Sequence, residues 1–215
     1  MDKIKIIGLG AGGHARVIIE ILRLNPQLEL IGLLDTNQEL HGKLMLGVPI
    51  LGDDTLLPDL TRQGLSHFFI GLGGVGNTNP RRRLYEIACN QNLLPCNAIH
   101  PSAILSPSAQ IGLGFSAMAN SVVNACVTIG VNVILNTGAI IEHDCVIGNH
   151  VHIATGARLT STVRAGNGVH IGAGAVIRQC ISIGENAVIG AGAVVVKNVP
   201  ANVTVVGVPA GILKR

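Results

Sequence analysis

The chain has 215 residues, of which 13% are charged and 2% are aromatic, and its formal net charge at pH 7 is +3. Such a weak positive charge does not indicate a nucleic-acid-binding protein. The hydrophobic content of 48%, without any tryptophan, argues against disorder and favours flat, stacked layers of aliphatic side chains. This length allows one large or two small domains.

The sequence carries no export or membrane signal. Its opening residues, MDKIKIIGLG, have charges too early and an apolar run too short for a signal peptide. No segment has the roughly 20 consecutive apolar residues that span a bilayer. The five cysteines include no C-x-x-C pair and are odd in number, which argues against a disulfide framework or a zinc knuckle. We therefore expect a cytoplasmic protein.

Residues 1–96 are predicted to form a Rossmann-like domain with a short parallel sheet. Runs typical of strands alternate with runs typical of helices, and this order indicates a sheet with helices on its faces. The expected strands are residues 3–8, 28–35, 48–51 and 67–72, and the expected helices are residues 15–24 and 80–92.

A glycine-rich loop joins the first predicted strand to the first predicted helix. Gly8, Gly10 and Gly13 have the spacing G-x-G-x-x-G, and Asp35 ends the next strand. Glycines let the backbone approach a phosphate, and the helix N-terminus favours its charge. The sheet is shorter than a full dinucleotide-binding fold. The loop therefore predicts a nucleotide-sugar pocket, with a dinucleotide site or a plain tight turn as alternatives.

Three consecutive arginines, Arg81, Arg82 and Arg83, lie at the start of the predicted helix 80–92. Charged residues at a helix start are usually solvated, and we expect this of all three. A contact with phosphate is the alternative.

The second half of the chain repeats every six residues. An aliphatic residue stands at each of these positions, which are Ile111, Ala117, Val123, Ile129, Leu135, Ile141, Ile147, Ile153, Leu159, Ala165, Ile171, Ile177, Ile183, Ile189 and Val195. Each hexad is typical of one short strand and one turn of a parallel β-helix. Three hexads make a triangular coil of 18 residues, with strands about 4.8 Å apart. Residues 97–215 are thus predicted to form a β-helix of about five coils with a C-terminal tail.

One hexad departs from this apolar frame. Glu142 and Asp144 flank His143, and they are the only acidic residues between positions 87 and 184. A carboxylate beside an imidazole can fix its tautomer and prepare it to act as a general base. The alternative is that these are ordinary turn residues. Cys145, at a small inward position of the same hexad, is expected to be buried packing.

Three further histidines follow in the next coils. His152 and His170 are 18 residues apart, and we expect them one coil apart on the same edge. For His150 and His170 we expect a stack facing solvent. The spacing of the histidines does not give a ligand set on one face, so no metal site is predicted.

Several motifs together resemble a known family. They are IEHDCVIGNHVHIATGARL, VVGVPAGILKR, GLGAGGHARV, LGVPILGDD, FFIGLG and NAIHPSAILSPSA, and they extend over essentially the whole chain. They resemble the sialic acid O-acetyltransferase-like family of hexapeptide-repeat acyltransferases. This family includes the nucleotide-linked aminosugar N-acetyltransferases of the bacillosamine and perosamine pathways.

The resemblance implies a fold, an assembly and an activity. The fold would be a Rossmann-like domain and a left-handed β-helix, assembled as a homotrimer with active sites between neighbouring β-helices. The activity would be transfer of acetyl from acetyl-CoA to the 4-amino group of a nucleotide-linked 4-amino-4,6-dideoxy sugar. A sugar O-acetyltransferase of the same fold is the alternative. A nucleotide-sugar sensor and a dehydrogenase are less favoured.

The resemblance also implies roles for residues of the β-helix. His143 would be the general base and Asp144 would hold it, and transfer would be direct, so that Cys145 has no covalent role. His152 would contact acetyl-CoA near its thioester. The backbone amides of Ala173 and Ala191 would hold the pantetheine arm.

In the first domain, the resemblance implies six substrate-binding residues. Those at the phosphates are Gly12, Gly13 and His14, those at the base or ribose are Asp35 and Thr36, and Gly73 forms a pocket wall. The chain departs from the family pattern in two places here. Thr36 replaces an acid found in some relatives, and the loop GLGGVGNTNPRRR is longer than expected.

Overall fold

The computed structural model describes residues 3–213. The chain divides into two compact units. The first holds the residues up to Gly73 together with Pro80–Ala98, and the second holds Gly74–Asn79 and the described residues from Ile99 onward. Among the described residues, no helix is long and apolar enough to cross a membrane.

The first unit is a six-stranded sheet with helices. The strands are β1 (Ile4–Leu9), β2 (Leu28–Leu34), β3 (Leu44–Met45), β4 (Val48–Gly52), β5 (His67–Ile70) and β6 (Leu94–Pro95), in the order β3-β4-β2-β1-β5-β6. The helices are α1 (Gly13–Arg23), α2 (Leu57–Arg62) and α3 (Asn79–Asn90), with 3₁₀ turns at Gln38–Leu40 and Asp54–Leu56. The β3–β4 pair is antiparallel and the other pairs are parallel.

The predicted α/β domain is confirmed, and its four predicted strands and two predicted helices are all present. The sequence reading missed the short elements β3, β6 and α2. The β3–β4 hairpin turns at Leu46 and Gly47, which both have positive φ angles. Pro95 lies in β6 at the edge of the sheet, which is where a proline is tolerated in a strand.

The strand order places a crevice at one edge of this sheet. The chain runs from central β1 to β2 on one side and later returns to β5 on the other side of β1. The carboxyl ends of β1 and β5 therefore flank the point at which the order of the strands reverses, where parallel α/β sheets bind their ligands. Gly8 lies inside β1, where a Cβ would overlap the side chains of Leu33 and Phe69. Gly8 thus serves sheet packing.

The second unit is a parallel β-helix with three faces. Face 1 consists of Ala98–Ile99, Ser116–Ala117, Ile134–Leu135, His152–Ile153, His170–Ile171, Val188–Ile189, Thr204–Val206 and Gly211–Ile212. Face 2 consists of Ile104–Leu105, Val122–Val123, Ile140–Ile141, Arg158–Leu159, Val176–Ile177 and Val194–Val195. Face 3 consists of Gln110–Ile111, Thr128–Ile129, Val146–Ile147, Arg164–Ala165 and Ser182–Ile183.

The register confirms the predicted coil of three hexads. Ser116 pairs with Ile134 on face 1, and every regular coil advances the chain by the same step. The last coil is shorter, because Val188 pairs with Thr204 rather than with residue 206. The final strand, Gly211–Ile212, is antiparallel to Thr204–Val206 and closes this end of face 1.

The β-helix core is filled by one aliphatic residue from each strand and one small residue from each turn. The turn residues include Val127, Cys145 and Val163, which stack on successive coils and are fully buried. The prediction that Cys145 is buried packing is confirmed. Its Sγ lies 3.2 Å from the carbonyl oxygen of Thr160 and accepts the N–H of Val163 at 3.3 Å. Burial raises the pKa of this thiol.

Each turn of the β-helix between residues 112 and 193 contains one residue with a left-handed backbone. These residues recur in sixes, and they are Gly114, Asn120, Cys126, Asn132, Gly138, Asp144, His150, Gly156, Thr162, Gly168, Gly174, Cys180, Asn186 and Gly192. Glycine and asparagine adopt this conformation most easily. The corner between faces 1 and 2 uses only those two residue types. The corner between faces 2 and 3 has neither glycine nor asparagine at its left-handed positions, one of which is Asp144.

Candidate active site

His143 and Asp144 form an exposed pair at the corner between faces 2 and 3. Nδ1 of His143 lies 2.7 Å from Oδ2 of Asp144, and the two side chains are 53% and 58% exposed. An ionised carboxylate only accepts hydrogen bonds, so the imidazole donates from Nδ1. In that tautomer Nε2 carries the lone pair and can accept a proton from another molecule.

The backbone holds this pair from both neighbouring coils. The N–H of Asp144 donates to the carbonyl oxygen of Ala125 at 3.0 Å, and the carbonyl oxygen of His143 accepts the N–H of Thr162 at 3.0 Å. Asp144 has φ of 60°. Glu142 is engaged elsewhere, because its Oε2 accepts a hydrogen bond from Nδ2 of Asn124 at 2.8 Å. The histidine therefore pairs with Asp144, on a rigid support.

His152 and His170 are neighbours on face 1, as predicted. Their rings pack edge to face with centroids 4.9 Å apart. The expectation that His170 faces solvent is wrong, since the side chain is buried. The cause is the segment Gly74–Asn79, which belongs to the same unit: His170 hydrogen-bonds to the backbone of Gly74, and Thr78 Oγ1 donates to the carbonyl oxygen of Gly168 at 3.1 Å. Burial lowers the pKa of His170, and the Gly74 contact opposes this shift.

The fourth histidine, His150, is half-buried and occupies a left-handed turn position. Its Nδ1 lies 2.9 Å from Nδ2 of Asn132, one coil earlier. Within residues 3–213, no group of three or more His, Cys, Asp or Glu side chains is arranged to hold a metal ion.

One chain does not bring His143 and His152 together. His143 lies in the turn that joins face 2 to face 3, whereas His152 lies on face 1, where it is buried beside His170. In a coil with three sides, the corner between two faces lies across the core from the third face. The two side chains are therefore on opposite sides of the β-helix.

Ala173 and Ala191 stack on successive coils at the corner between faces 1 and 2. Both are exposed, and each precedes a glycine of the left-handed series, Gly174 or Gly192. The N–H of Gly192 donates to the carbonyl oxygen of Ala173 at 2.8 Å. In the described part of the chain, the N–H groups of Ala173 and Ala191 donate no backbone hydrogen bond. This corner thus offers two amide donors on a surface without large side chains.

The glycine loop of the first unit is open toward the crevice at β1 and β5. Gly12 caps α1 and Gly13 is its first residue. A Cβ on Gly13 would meet nothing within 4 Å, and the same holds for Gly73 after β5. A Cβ on Gly71 would overlap the carbonyl oxygen of Gly10, so the loops after β1 and β5 are in direct contact. His14, in the first turn of α1, is half-buried.

Asp35 ties the next strand to this loop. Its Oδ2 accepts the N–H of Ala11 at 2.7 Å, and its Oδ1 accepts the N–H of Asn37 at 2.9 Å. Nε2 of His41 lies 2.7 Å from the backbone carbonyl oxygen of Asp35. Thr36 is exposed beside it. The structure therefore brings Asp35 and Thr36 to the glycine loop, and it gives Asp35 a loop-holding role that the motif did not predict.

The three consecutive arginines do not share one environment. Arg82 and Arg83 are exposed, as expected of a solvated helix start, and Arg82 pairs with Glu86. For Arg81 the expectation is wrong, because the side chain is 1% exposed. Charged residues at a helix start are usually exposed, so nothing in the sequence indicates that the side chain of Arg81 is buried.

Triangular coils of hexads define a hexapeptide-repeat β-helix, which here follows an α/β domain. Family models agree: residues 4–88 match the PglD N-terminal domain, and residues 166–197 match the bacterial transferase hexapeptide (six repeats). No curated protein matches the chain.

Solved structures match over the whole length. PerB of Caulobacter crescentus, in complex with CoA and GDP-perosamine, is 38% identical, with 98% of this chain and 97% of that chain covered and a TM-score of 0.90. The acetyltransferase domain of PglB from Neisseria gonorrhoeae, in complex with acetyl coenzyme A, is 36% identical, with 98% and 100% covered and a TM-score of 0.90. WeeI from Acinetobacter baumannii is 30% identical, with 97% and 100% covered and a TM-score of 0.86. The chain therefore belongs to the family of nucleotide-linked aminosugar acetyltransferases with hexapeptide repeats, as its motifs indicated.

Proposed function

We propose that this protein transfers the acetyl group of acetyl-CoA to the 4-amino group of a nucleotide-linked 4-amino-4,6-dideoxy sugar. The observation that carries the proposal is the 2.7 Å contact between His143 Nδ1 and Asp144 Oδ2 on an exposed corner. The likeness to a perosamine N-acetyltransferase bound to CoA and GDP-perosamine supports the two substrates. We place the enzyme in the cytoplasm, where cells hold both kinds of substrate.

In the proposed reaction, the sugar nitrogen attacks the carbonyl carbon of the thioester directly. Nε2 of His143 takes the proton that the nitrogen loses as the C–N bond forms. The C–S bond then breaks, and CoA leaves as a thiolate that is protonated to the thiol. Asp144 holds the imidazole in the required tautomer and stabilises it once it is protonated.

The acetyl-CoA site in this proposal uses the corner between faces 1 and 2 and the adjoining face 1. The N–H groups of Ala173 and Ala191 would bind the carbonyls of the pantetheine arm, since both are exposed donors. His152 would contact the thioester. Burial lowers the pKa of its neighbour His170, which favours the neutral imidazole of that residue.

Residues 1–96 form the nucleotide-sugar-binding domain in this proposal, and residues 97–215 form the acyltransferase domain. The phosphates would bind at Gly12, Gly13 and His14, because the start of α1 presents N–H groups and the loop leaves room for close approach. Asp35, Thr36 and Gly73 would complete the pocket.

We further propose that the active enzyme is a homotrimer with three shared sites. His143 and His152 lie on opposite sides of one β-helix, so they can meet at one substrate only if a second copy supplies one of them. In a closed ring of three copies, each copy contacts both neighbours through the same pair of unlike surfaces, so three identical shared sites result.

The function is tested by turnover with UDP-, GDP- and dTDP-linked 4-amino-4,6-dideoxy sugars. Release of the CoA thiol and the mass of the product are measured for the wild type, and hydroxylamine distinguishes an ester from an amide. We expect an amide that resists hydroxylamine with at least one of these sugars. Acetylation of none of them, or a product that hydroxylamine cleaves, would contradict the proposal.

The shared site is tested by mixing two inactive variants, His143→Ala and His152→Ala. In randomly mixed trimers, about a quarter of the sites combine an intact His143 with an intact His152 from the neighbour. We expect activity to return to about that fraction of the wild type after the chains are dissociated and reassembled together. Activity that stays at the level of the separate variants would show that the two histidines do not share a site.

A further inference from the structure

Arg81 is a buried cation without a counter-charge. The side chain is 1% exposed, and it forms no ion pair within the described part of the chain. Its Nη1 donates to the carbonyl oxygens of Ile70 at 3.1 Å and Leu72 at 2.9 Å. Its Nε, also buried, has no hydrogen-bond partner. A buried charge is costly unless an opposite charge lies near it.

The local structure increases this cost. Arg81 lies in the first turn of α3, where the backbone dipole is positive and disfavours a cation. Burial lowers the pKa of Arg81 to about 9, with no nearby carboxylate to oppose the shift. The two carbonyl hydrogen bonds explain how the guanidinium is held. They do not supply the negative charge that would offset its burial.

Arg81 is also adjacent to the proposed phosphate site. The two carbonyls it binds flank Gly71, and Gly71 packs directly against Gly10 of the glycine loop. The N–H of Gly71 donates to the carbonyl oxygen of Leu9 at 2.7 Å, which joins the ends of β5 and β1. The guanidinium therefore lies at the carboxyl end of β5 and is linked to the glycine loop through Gly71.

We propose that Arg81 supplies the buried positive charge of the nucleotide-sugar site and attracts the diphosphate bound at the glycine loop. It is a positioning residue, since it acts through the backbone and through its field rather than by touching the substrate. The inference rests on the proposed function, and it differs from the direct phosphate contact considered for the three arginines, because Arg81 is buried. A charge screened from water acts more strongly at a given distance than an exposed one.

The test compares a charged ligand with a neutral one. Calorimetry gives the dissociation constants of GDP and guanosine for the wild type, Arg81→Met and Arg81→Lys. If the wild type prefers another base, UDP and uridine or dTDP and thymidine are used instead. Arg83→Met, two residues further on and exposed, is the matched control. We expect Arg81→Met to weaken diphosphate binding by about tenfold and to leave nucleoside binding nearly unchanged. Arg81→Lys should keep most of the preference for the diphosphate, and Arg83→Met should keep all of it.

Equal losses for nucleoside and diphosphate in Arg81→Met would show a structural role and overturn the inference, as would unchanged diphosphate binding. If neither Arg81 variant folds, the wild type still tests the inference by the salt dependence of its preference for the diphosphate. A buried charge is poorly screened. The preference should therefore persist at high salt, and its disappearance would assign it to exposed charges. A wild type that binds no nucleoside diphosphate would instead refute the proposed function.

Discussion

Asp144 accepts a hydrogen bond from His143, its neighbour in sequence, and it occupies a left-handed turn position of the coil. Thr162 occupies the equivalent position one coil later, and its N–H donates to the carbonyl oxygen of His143. A turn position that strains most residues thus carries the carboxylate that pairs with His143.

The variant Asp144→Asn tests this pairing. Asparagine tolerates the left-handed backbone, so the fold should be kept, but an amide does not enforce the tautomer that leaves Nε2 free to accept a proton. We expect kcat to fall by about tenfold or more, with the melting temperature little changed. Asn120→Asp, at a left-handed turn position of the corner between faces 1 and 2 with no histidine beside it, is the control and should retain full activity. An Asp144→Asn enzyme with wild-type kcat would contradict the role given to the carboxylate.

The strain of the same corner predicts a stabilising substitution. Thr162 is β-branched and has φ of 62°, which costs a residue of this type about 1 kcal/mol or more. Thr162→Asn should therefore raise the free energy of unfolding by about 1 kcal/mol, as measured by thermal or denaturant unfolding. The reverse change at a matched corner, Asn120→Thr, should lower it. A loss of stability in Thr162→Asn would mean that the threonine side chain makes up for the strain.

Substitutions of two glycines near the proposed phosphate site distinguish an effect on packing from an effect on ligand binding. Gly71→Ala should destabilise the first unit, because the new Cβ would overlap the carbonyl oxygen of Gly10. Gly13→Ala meets no protein atom within 4 Å and improves helix propensity, so its melting temperature should be kept or slightly raised. Its affinity for the nucleoside diphosphate should fall, since the methyl group would occupy the space in which we propose that the phosphate binds. Full affinity in Gly13→Ala would place the phosphates elsewhere.

Direct transfer predicts that Cys145 is dispensable for chemistry. Its thiol is buried in the core, and burial raises its pKa, so it stays protonated at neutral pH and is a poor nucleophile. Cys145→Ala should keep kcat within about threefold of the wild type and lose about 1 kcal/mol of stability. Mass spectrometry of the enzyme during turnover should detect no acetylated protein. An acetyl group on Cys145 would refute direct transfer.

The periodic parts of this fold could be predicted from the sequence, and the reason is the regularity of the β-helix. Each inward position must be aliphatic or small, so the coil length and the buried role of Cys145 follow from counting. The segment that packs over face 1 and buries His170 could not be predicted in this way. His170 is buried by Gly74–Asn79, a segment distant in sequence, and no local pattern signals such a contact.

The residue types of the candidate site could be predicted from the sequence, but their arrangement in space could not. The acids around His143 were visible against an apolar repeat, but only the family resemblance pointed to Asp144 rather than Glu142 as the partner of the imidazole. The structure pairs His143 with Asp144, and Glu142 accepts a hydrogen bond from Asn124 instead. The burial of Arg81 was missed, because burial of one arginine among three depends on tertiary packing.

The central claim, that His143 is the general base of acetyl transfer, is tested most directly by steady-state kinetics of His143→Ala. The chosen nucleotide-linked aminosugar and acetyl-CoA are the substrates, and calorimetry of both ligands is run in parallel. The account predicts that kcat falls by about 10²-fold or more, while both substrates still bind. A His143→Ala enzyme that turns over at the wild-type rate would contradict it.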